Sequence, residues 1–336
     1  MSKVIIGIHG LGNKPPKDLL EEWWLVSMRE GLKSIGKYVF PAKFELVYWA
    51  DILYDKPLDP SCVESSNPRY LEERYTPSPI NYKPKQHKIK QKVLDIIEKQ
   101  MDKILLNERH SVAYDHITEI IISKYFHDLE IYYSTPPHDK RKLSGQVSGD
   151  SSGVSAKERI RNRIDSVLRK YRRHDILLIG HSMGSIIAYD VLSLMKPEVN
   201  VNTFVTIGSP LGLPVVMKKI ADELGAKINN SIKLKTPESV MRNWYNFSDL
   251  EDKVAINYNL SDDYEANSLG VNAIDTIVNN NYSINDVSNP HKAYGYLRTP
   301  EFSKVLYEFF TYDKSRTTNW LLSSYNKLVN RFGKIF

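Results

Sequence analysis

The 336-residue sequence predicts an α/β fold, a mostly parallel sheet with helices on both faces plus a helical insertion. Three observations predict it. The chain opens as strand, helix, strand. Strand and helix patterns alternate again from residue 156 onward. The stretch between is first proline-rich and then helical in period, so it belongs to neither run.

Val4–Ile8 is a short, continuous β-branched run, the signature of a strand buried on both faces. After Pro15-Pro16, residues 17–35 carry Leu19, Leu20, Trp23, Trp24, Leu32 and Ile35 at roughly helical spacing. Phe44–Trp49 reads as a second strand. Residues 57–84 hold Pro57, Pro60, Pro68, Pro77, Pro79 and Pro84 and read as irregular. Helical stretches follow near 86–108 and 112–132, the first placing Ile89, Val93, Ile96 and Ile97 on one face with Met101, Ile104 and Leu105. A Ser/Gly-rich loop, Leu143 to Ser155, closes the excursion. Then come a helix over 156–171, a strand Asp175–Ile179, a helix over 183–195, and strands Thr203–Ile207 and Trp244–Phe247. The expected organisation is a core of residues 1–56 and 155–312, an insertion or cap over 57–154, and a C-terminal amphipathic helix over 313–336. In that last helix Leu321, Tyr325, Leu328, Phe332 and Ile335 form one stripe, with Lys327, Arg331 and Lys334 along a flank. Ser323, Asn326, Asn330 and Gly333 face away from it. Such a stripe either packs on the protein or meets an anionic bilayer surface, which makes peripheral membrane contact one expectation.

Composition narrows the class. A hydrophobic fraction of 41% with 26% charged residues is ordinary for a globular enzyme. Cys62 is the single cysteine, which excludes an intramolecular disulfide and a zinc site of several thiolates. The net charge of +6 (46 minus 40) is mild and comes with no nucleic-acid-binding module, so no nucleic acid is expected as partner. Val4–Ile8 is too short for a signal segment, and no run of about eighteen apolar residues occurs. A cytoplasmic location is expected. Asp115-His116 and His127-Asp128-Leu129-Glu130 lack a recognised ligand spacing, so no metal is expected. The glycines at 7, 10 and 12 do not form G-x-G-x-x-G, and no P-loop occurs, so no cofactor is expected either.

The chemistry concentrates after the strand Ile176–Ile179, which runs into Gly180-His181-Ser182-Met183-Gly184 and then a helix. A serine on a tight strand-to-helix turn is the nucleophile elbow of α/β-hydrolase folds, with glycines that let neighbouring elements pass close. Gly149-Asp150-Ser151-Ser152-Gly153 matches the same G-x-S-x-G pattern, but no strand precedes it. Ser182 is therefore the nucleophile candidate and Ser151 a decoy. Acyl transfer needs donors aimed at the developing oxyanion. The N–H of Met183, next to the nucleophile, and that of Leu11, in the His9-Gly10-Leu11-Gly12 loop after the first strand, are the candidates.

In this fold the triad runs Ser, then Asp or Glu, then His along the chain. Of nine histidines only His291 lies beyond Ser182, so His291 is the candidate base. The acid should follow the strand Trp244–Phe247. Asp249, Glu251 and Asp252 all lie there, and spacing does not separate them.

The segment Asn246 to Ala255, in which Asp252 precedes x-Val-Ala, resembles the acid loop of lipase-like α/β hydrolases, including the intracellular phospholipase A1 group. The resemblance implies Asp252 as the triad acid. Thr206–Gly212, His9–Gly12 and Gly180–Gly184 resemble further motifs of those lipases, while Lys253 stands where they commonly have Pro. It covers the core and leaves out residues 57–154. It implies a serine hydrolase of carboxylic esters, acting on an acyl-ester or lipid substrate through an acyl-enzyme. A thioesterase, acyltransferase or amidase would use the same triad, and a non-catalytic interaction protein could keep the fold.

Overall fold

The computed structural model describes residues 2–38, 43–72, 74–78, 132–133, 154–195, 198–225, 234–255, 257–284 and 287–313, together with Ser324, Asn326 and Val329. Six parallel strands form the sheet: β1 (Lys3–Ile8), β2 (Lys43–Val47), β3 (Asp175–His181), β4 (Val201–Ile207), β5 (Val240–Ser248) and β6 (Ala273–Ile277). Their order is β2-β1-β3-β4-β5-β6. The chain thus leaves β1 toward one edge, returns across it to β3, and continues toward the other edge. The junction between β1 and β3 is the topological switch point, where open α/β sheets form their crevice at the strands' C-terminal ends.

Side-chain alternation along the strands feeds two cores. Val4, Ile6 and Ile8 of β1 and Ile176 and Leu178 of β3 face one side, with Ile160, Ile164 and Leu168 from α2 (Ala156–Lys170). The same side takes Ile186 and Ile187 from α3 (Met183–Asp190) and Val216 and Ile220 from α4 (Pro214–Leu224). Ile5, Leu177 and Ile179 face the other side, against Leu20, Trp24 and Met28 of α1 (Lys17–Ser34). Leu297 of α5 (Ala293–Leu297) and Phe302, Leu306 and Phe309 of α6 (Pro300–Thr311) complete that layer. Helices on both faces of a parallel sheet, as the sequence pattern predicts, are the α/β-hydrolase architecture. α2 starts on a capping box between Ser155 and Glu158, and α4 starts on Pro214 and ends at Gly225 in the left-handed region (φ 64°).

The elements differ from their sequence readings mainly at the ends. β2 stops at Val47 and Ala50–Leu53 is helical; between them the Trp49 indole N–H donates to the His9 carbonyl (2.9 Å). β3 runs on to His181, and β5 begins four residues before Trp244. The Pro-rich stretch, read as part of the insertion, packs on the core as far as residue 78. Leu58 N–H donates to Lys14 O (2.9 Å), and Thr76 N–H to the Tyr282 hydroxyl (3.1 Å). The insertion helices, the Asp115-His116 and His127–Glu130 groups, the decoy 149–153 and the apolar stripe of 321–335 lie outside the described residues, as does the boundary at 154 from its insertion side. Asn326 is buried, and its side-chain oxygen accepts the Tyr38 N–H (3.1 Å). Among the described residues no helix is long and apolar enough to cross a membrane.

Candidate active site

The loops after β1, β3 and β5 meet the loop that carries His291, beyond β6. Ser182 lies between β3 and α3 at φ 52°, ψ −126°, the one non-glycine residue with positive φ among those described. Such backbone costs of order 1–3 kcal/mol and persists only where the surroundings enforce it. Here Ser182 N–H donates to Ile207 O (3.1 Å), while Ser185 holds Ser182 O with both its N–H (2.9 Å) and its hydroxyl (2.5 Å). The flanking glycines are required by space. A Cβ on Gly180 would stand 2.6 Å from Ser185 Cα, and one on Gly184 2.4 Å from Ile8 O. α3 therefore begins pressed against the end of β1.

That contact brings the β1 loop over the serine. A Cβ on Gly10 would lie 2.9 Å from Ser182 Cβ, so Leu11 follows directly beside the nucleophile. His9 shapes this loop from a buried position. Its Nε2 accepts the Trp49 N–H (3.0 Å), so Nδ1 carries the proton and donates to Gly10 O (2.8 Å). Burial, with Lys14 nearby, holds the His9 pKa well below the imidazole range. Lys14 in turn donates to Leu11 O. Met183 is the first residue of α3, so its N–H has no intrahelical acceptor and points out of the helix N-terminus.

His291 follows the antiparallel pair of two-residue strands Ser283–Ile284 and Val287–Ser288, just before α5. Its Nε2 stands 3.0 Å from Ser182 Oγ, and its Nδ1 2.9 and 3.0 Å from the two Asp252 oxygens. The three carboxylates of the acid loop now separate. Glu251 is exposed. Asp249 is buried away from His291, accepting the Glu251 N–H (2.8 Å) and the Asn280 N–H (2.5 Å). Only Asp252 meets the imidazole. Burial by itself would raise the Asp252 pKa, but the His291 charge and hydrogen bonds from His291, Tyr296 and Val254 outweigh it, so the carboxyl sits below its ordinary range. The Tyr296 hydroxyl donates to Asp252 Oδ2 (2.7 Å) and Val254 N–H to Oδ1 (2.9 Å). An ionised Asp252 accepts a hydrogen bond from Nδ1–H and leaves the Nε2 lone pair facing the Ser182 hydroxyl.

Sequence reasoning missed several participants. Gly208, after β4 at φ 53°, leaves no room for a side chain, since its Cβ would stand 2.9 Å from Asp252 Oδ2 and 3.3 Å from His291 Nδ1. His181 is set aside by chain order, yet its Nε2–H donates to the His291 carbonyl (2.7 Å). Burial, with the His291 charge beside it, lowers the His181 pKa to about 3. Tyr296 and Asn280 carry no local motif. A cavity of about 830 Å³ lined by Tyr189, Leu192, Val199 and Leu234 lies by the N-terminal ends of β4 and β5, and Ser182 does not line it.

A serine elbow at the switch point of a six-stranded parallel sheet, facing a histidine–carboxylate pair, is the layout of an α/β hydrolase. Residues 155–303 match the family model described as PGAP1-like alpha/beta domain. The match spans α2 to the start of α6, including Ser182, Asp252 and His291, and is consistent with the lipase-like superfamily. It supports hydrolase chemistry in general. No curated protein shows significant similarity to the chain.

Proposed function

We propose that the protein is a serine hydrolase of carboxylic esters, with Ser182 as nucleophile, His291 as base and Asp252 as the acid that orients it. The observation carrying this reading is the continuous hydrogen-bonded array from Ser182 Oγ through His291 to Asp252, at 3.0 and 2.9 Å. Ser182 Oγ attacks the acyl carbon while His291 Nε2 takes its proton, and Asp252 stabilises the imidazolium. The amides of Leu11 and Met183 receive the developing oxyanion. His291 then returns the proton to the leaving alcohol, and a water activated by the same nitrogen releases the acid from the acyl-enzyme. The substrate is an acyl ester, lipids included, a reading supported by the lipase-like motifs and the family match. Contact with a membrane surface would follow from a lipid substrate.

Labelling with a fluorophosphonate probe, followed by peptide mapping, tests the nucleophile. Ser182 should carry the probe, and Ser182→Ala should lower ester hydrolysis on the order of a millionfold. Label on Ser151, or full turnover by Ser182→Ala, overturns the assignment. A panel of esters, thioesters and amides graded by acyl length then tests the ester reading, with thioester or amide preference counting against it.

A further inference from the structure

The base loop is held from outside the triad, and one side chain does most of the holding. Asn280 follows β6, on the same end of the sheet as Ser182, and is 4% exposed. Its Nδ2 donates to the carbonyls on both sides of the base, Pro290 O (2.7 Å) and Lys292 O (2.8 Å). The intervening His291 carbonyl accepts from His181. Three consecutive carbonyls are thereby fixed, which leaves the loop little freedom to rotate the imidazole. Two further groups of Asn280 are engaged, Oδ1 accepting the Tyr282 N–H (3.1 Å) and the backbone N–H donating to Asp249 Oδ2. Space around the amide is tight, since a Cβ on Gly295 would stand 1.5 Å from Asn280 Oδ1.

The Asp249 contact joins this clamp to the acid. Asp249 O accepts the Asp252 N–H (3.0 Å), and Asp249 N–H donates to the Tyr296 hydroxyl (3.0 Å), which itself donates to Asp252. A closed circuit therefore runs from Asp252 to His291, through the loop carbonyls to Asn280, and back through Asp249. Circuits of buried hydrogen bonds act as units, and misplacement of a catalytic group by about an ångström costs on the order of a hundredfold in rate.

We propose that Asn280 is the positioning residue of the base, setting His291 against both Asp252 and Ser182 through the two carbonyls that flank it. This rests on the triad reading above. Asn280→Ala keeps the backbone link to Asp249 and removes the clamp together with the Oδ1 bond to the Tyr282 N–H. It should lower kcat for a small soluble ester about a hundredfold with KM little changed. The far-downfield proton NMR signal of the His291 Nδ1–H bonded to Asp252 should weaken or vanish while the rest of the spectrum stays dispersed. Asn280→Asp, of the same size, replaces both donated hydrogen bonds by oxygen facing oxygen and should be at least as impaired. Unchanged kcat and an unchanged downfield signal in a folded Asn280→Ala protein overturn the proposal. So does failure of both variants to fold, because Asn280 would then serve the fold alone. Full hydrolysis by Ser182→Ala in the same assay would overturn the triad reading instead, which keeps the two failures apart.

Discussion

The backbone of Ser182 sits where an L-residue is disfavoured, at φ 52° and ψ −126°. Removing the hydroxyl and removing the Cβ should therefore have different consequences. Ser182→Ala and Ser182→Gly both lose the nucleophile and its hydrogen bond to His291. Only glycine is at ease at this φ, so Ser182→Gly should be the more stable of the two by about 1 kcal/mol. Urea unfolding of both variants measures the difference, and equal midpoints would mean that the elbow stores no strain. The elbow is also the most legible part of the site, because a strand, a G-x-S-x-G turn and a helix are contiguous in sequence. His291 is legible through chain order alone. Asp252 required a family resemblance, since Asp249 and Glu251 share its loop and differ from it only in which way the folded loop turns them. Asn280, Tyr296 and Gly208 were beyond reach. Each acts on a partner 10 or more residues away, and nothing in the Asn279-Asn280-Asn281 run or in Tyr294-Gly295-Tyr296 announces which loop it will touch.

Among the elements, strands buried on both faces were the easiest to read, because β1 and β3 are unbroken apolar runs. β6 was not, as an edge strand with Ala273 alone buried among its five residues shows no apolar pattern. The helices of the first core are joined by charges that periodicity does not reveal. Asp190, at the end of α3 and fully buried, accepts from Arg161 of α2 (2.6 Å) and from the hydroxyls of Tyr132 (3.0 Å) and Tyr133 (3.2 Å). Arg161 also reaches Glu223 of α4 (2.6 Å), so one guanidinium links three helices and the 132–133 segment. Burying such a pair is expensive, yet breaking it is worse, because the remaining charge loses its compensation. Asp190→Ala should lower stability by about 3 kcal/mol. With Asp190 at the far end of α3 from Ser182, kcat of the folded protein should stay at the wild-type value. A denaturant midpoint equal to wild type would show that Glu223 alone satisfies Arg161.

At the level of the whole molecule, the switch point gathers two histidines that the fold keeps neutral, His9 in the β1 loop and His181 in the elbow. Burial is the main cause in both, and it lowers His181 to about 3. An unfolded chain has no such penalty, so its histidines take up protons below about pH 6.5. Between that value and about 3 the unfolded state binds more protons at His181 than the native state does, and the lowered His9 acts in the same direction, so stability must fall as pH falls. Asp252 acts in the same direction further down. Its folded pKa is depressed, so its contribution is present above the ordinary carboxyl value and is lost as pH drops through the folded one. The histidine window lies higher, which allows it to be isolated. His181→Gln keeps a donor for the His291 carbonyl and removes the titration. Between pH 7 and 4.5 the wild-type protein should lose on the order of 2 kcal/mol more stability than His181→Gln. Urea unfolding of both proteins at the two pH values provides the four midpoints, and the carboxylates, common to both, cancel in the difference. Equal losses would mean that His181 is protonated within the fold, and its hydrogen bond to the base loop would then have to be read as one from an imidazolium.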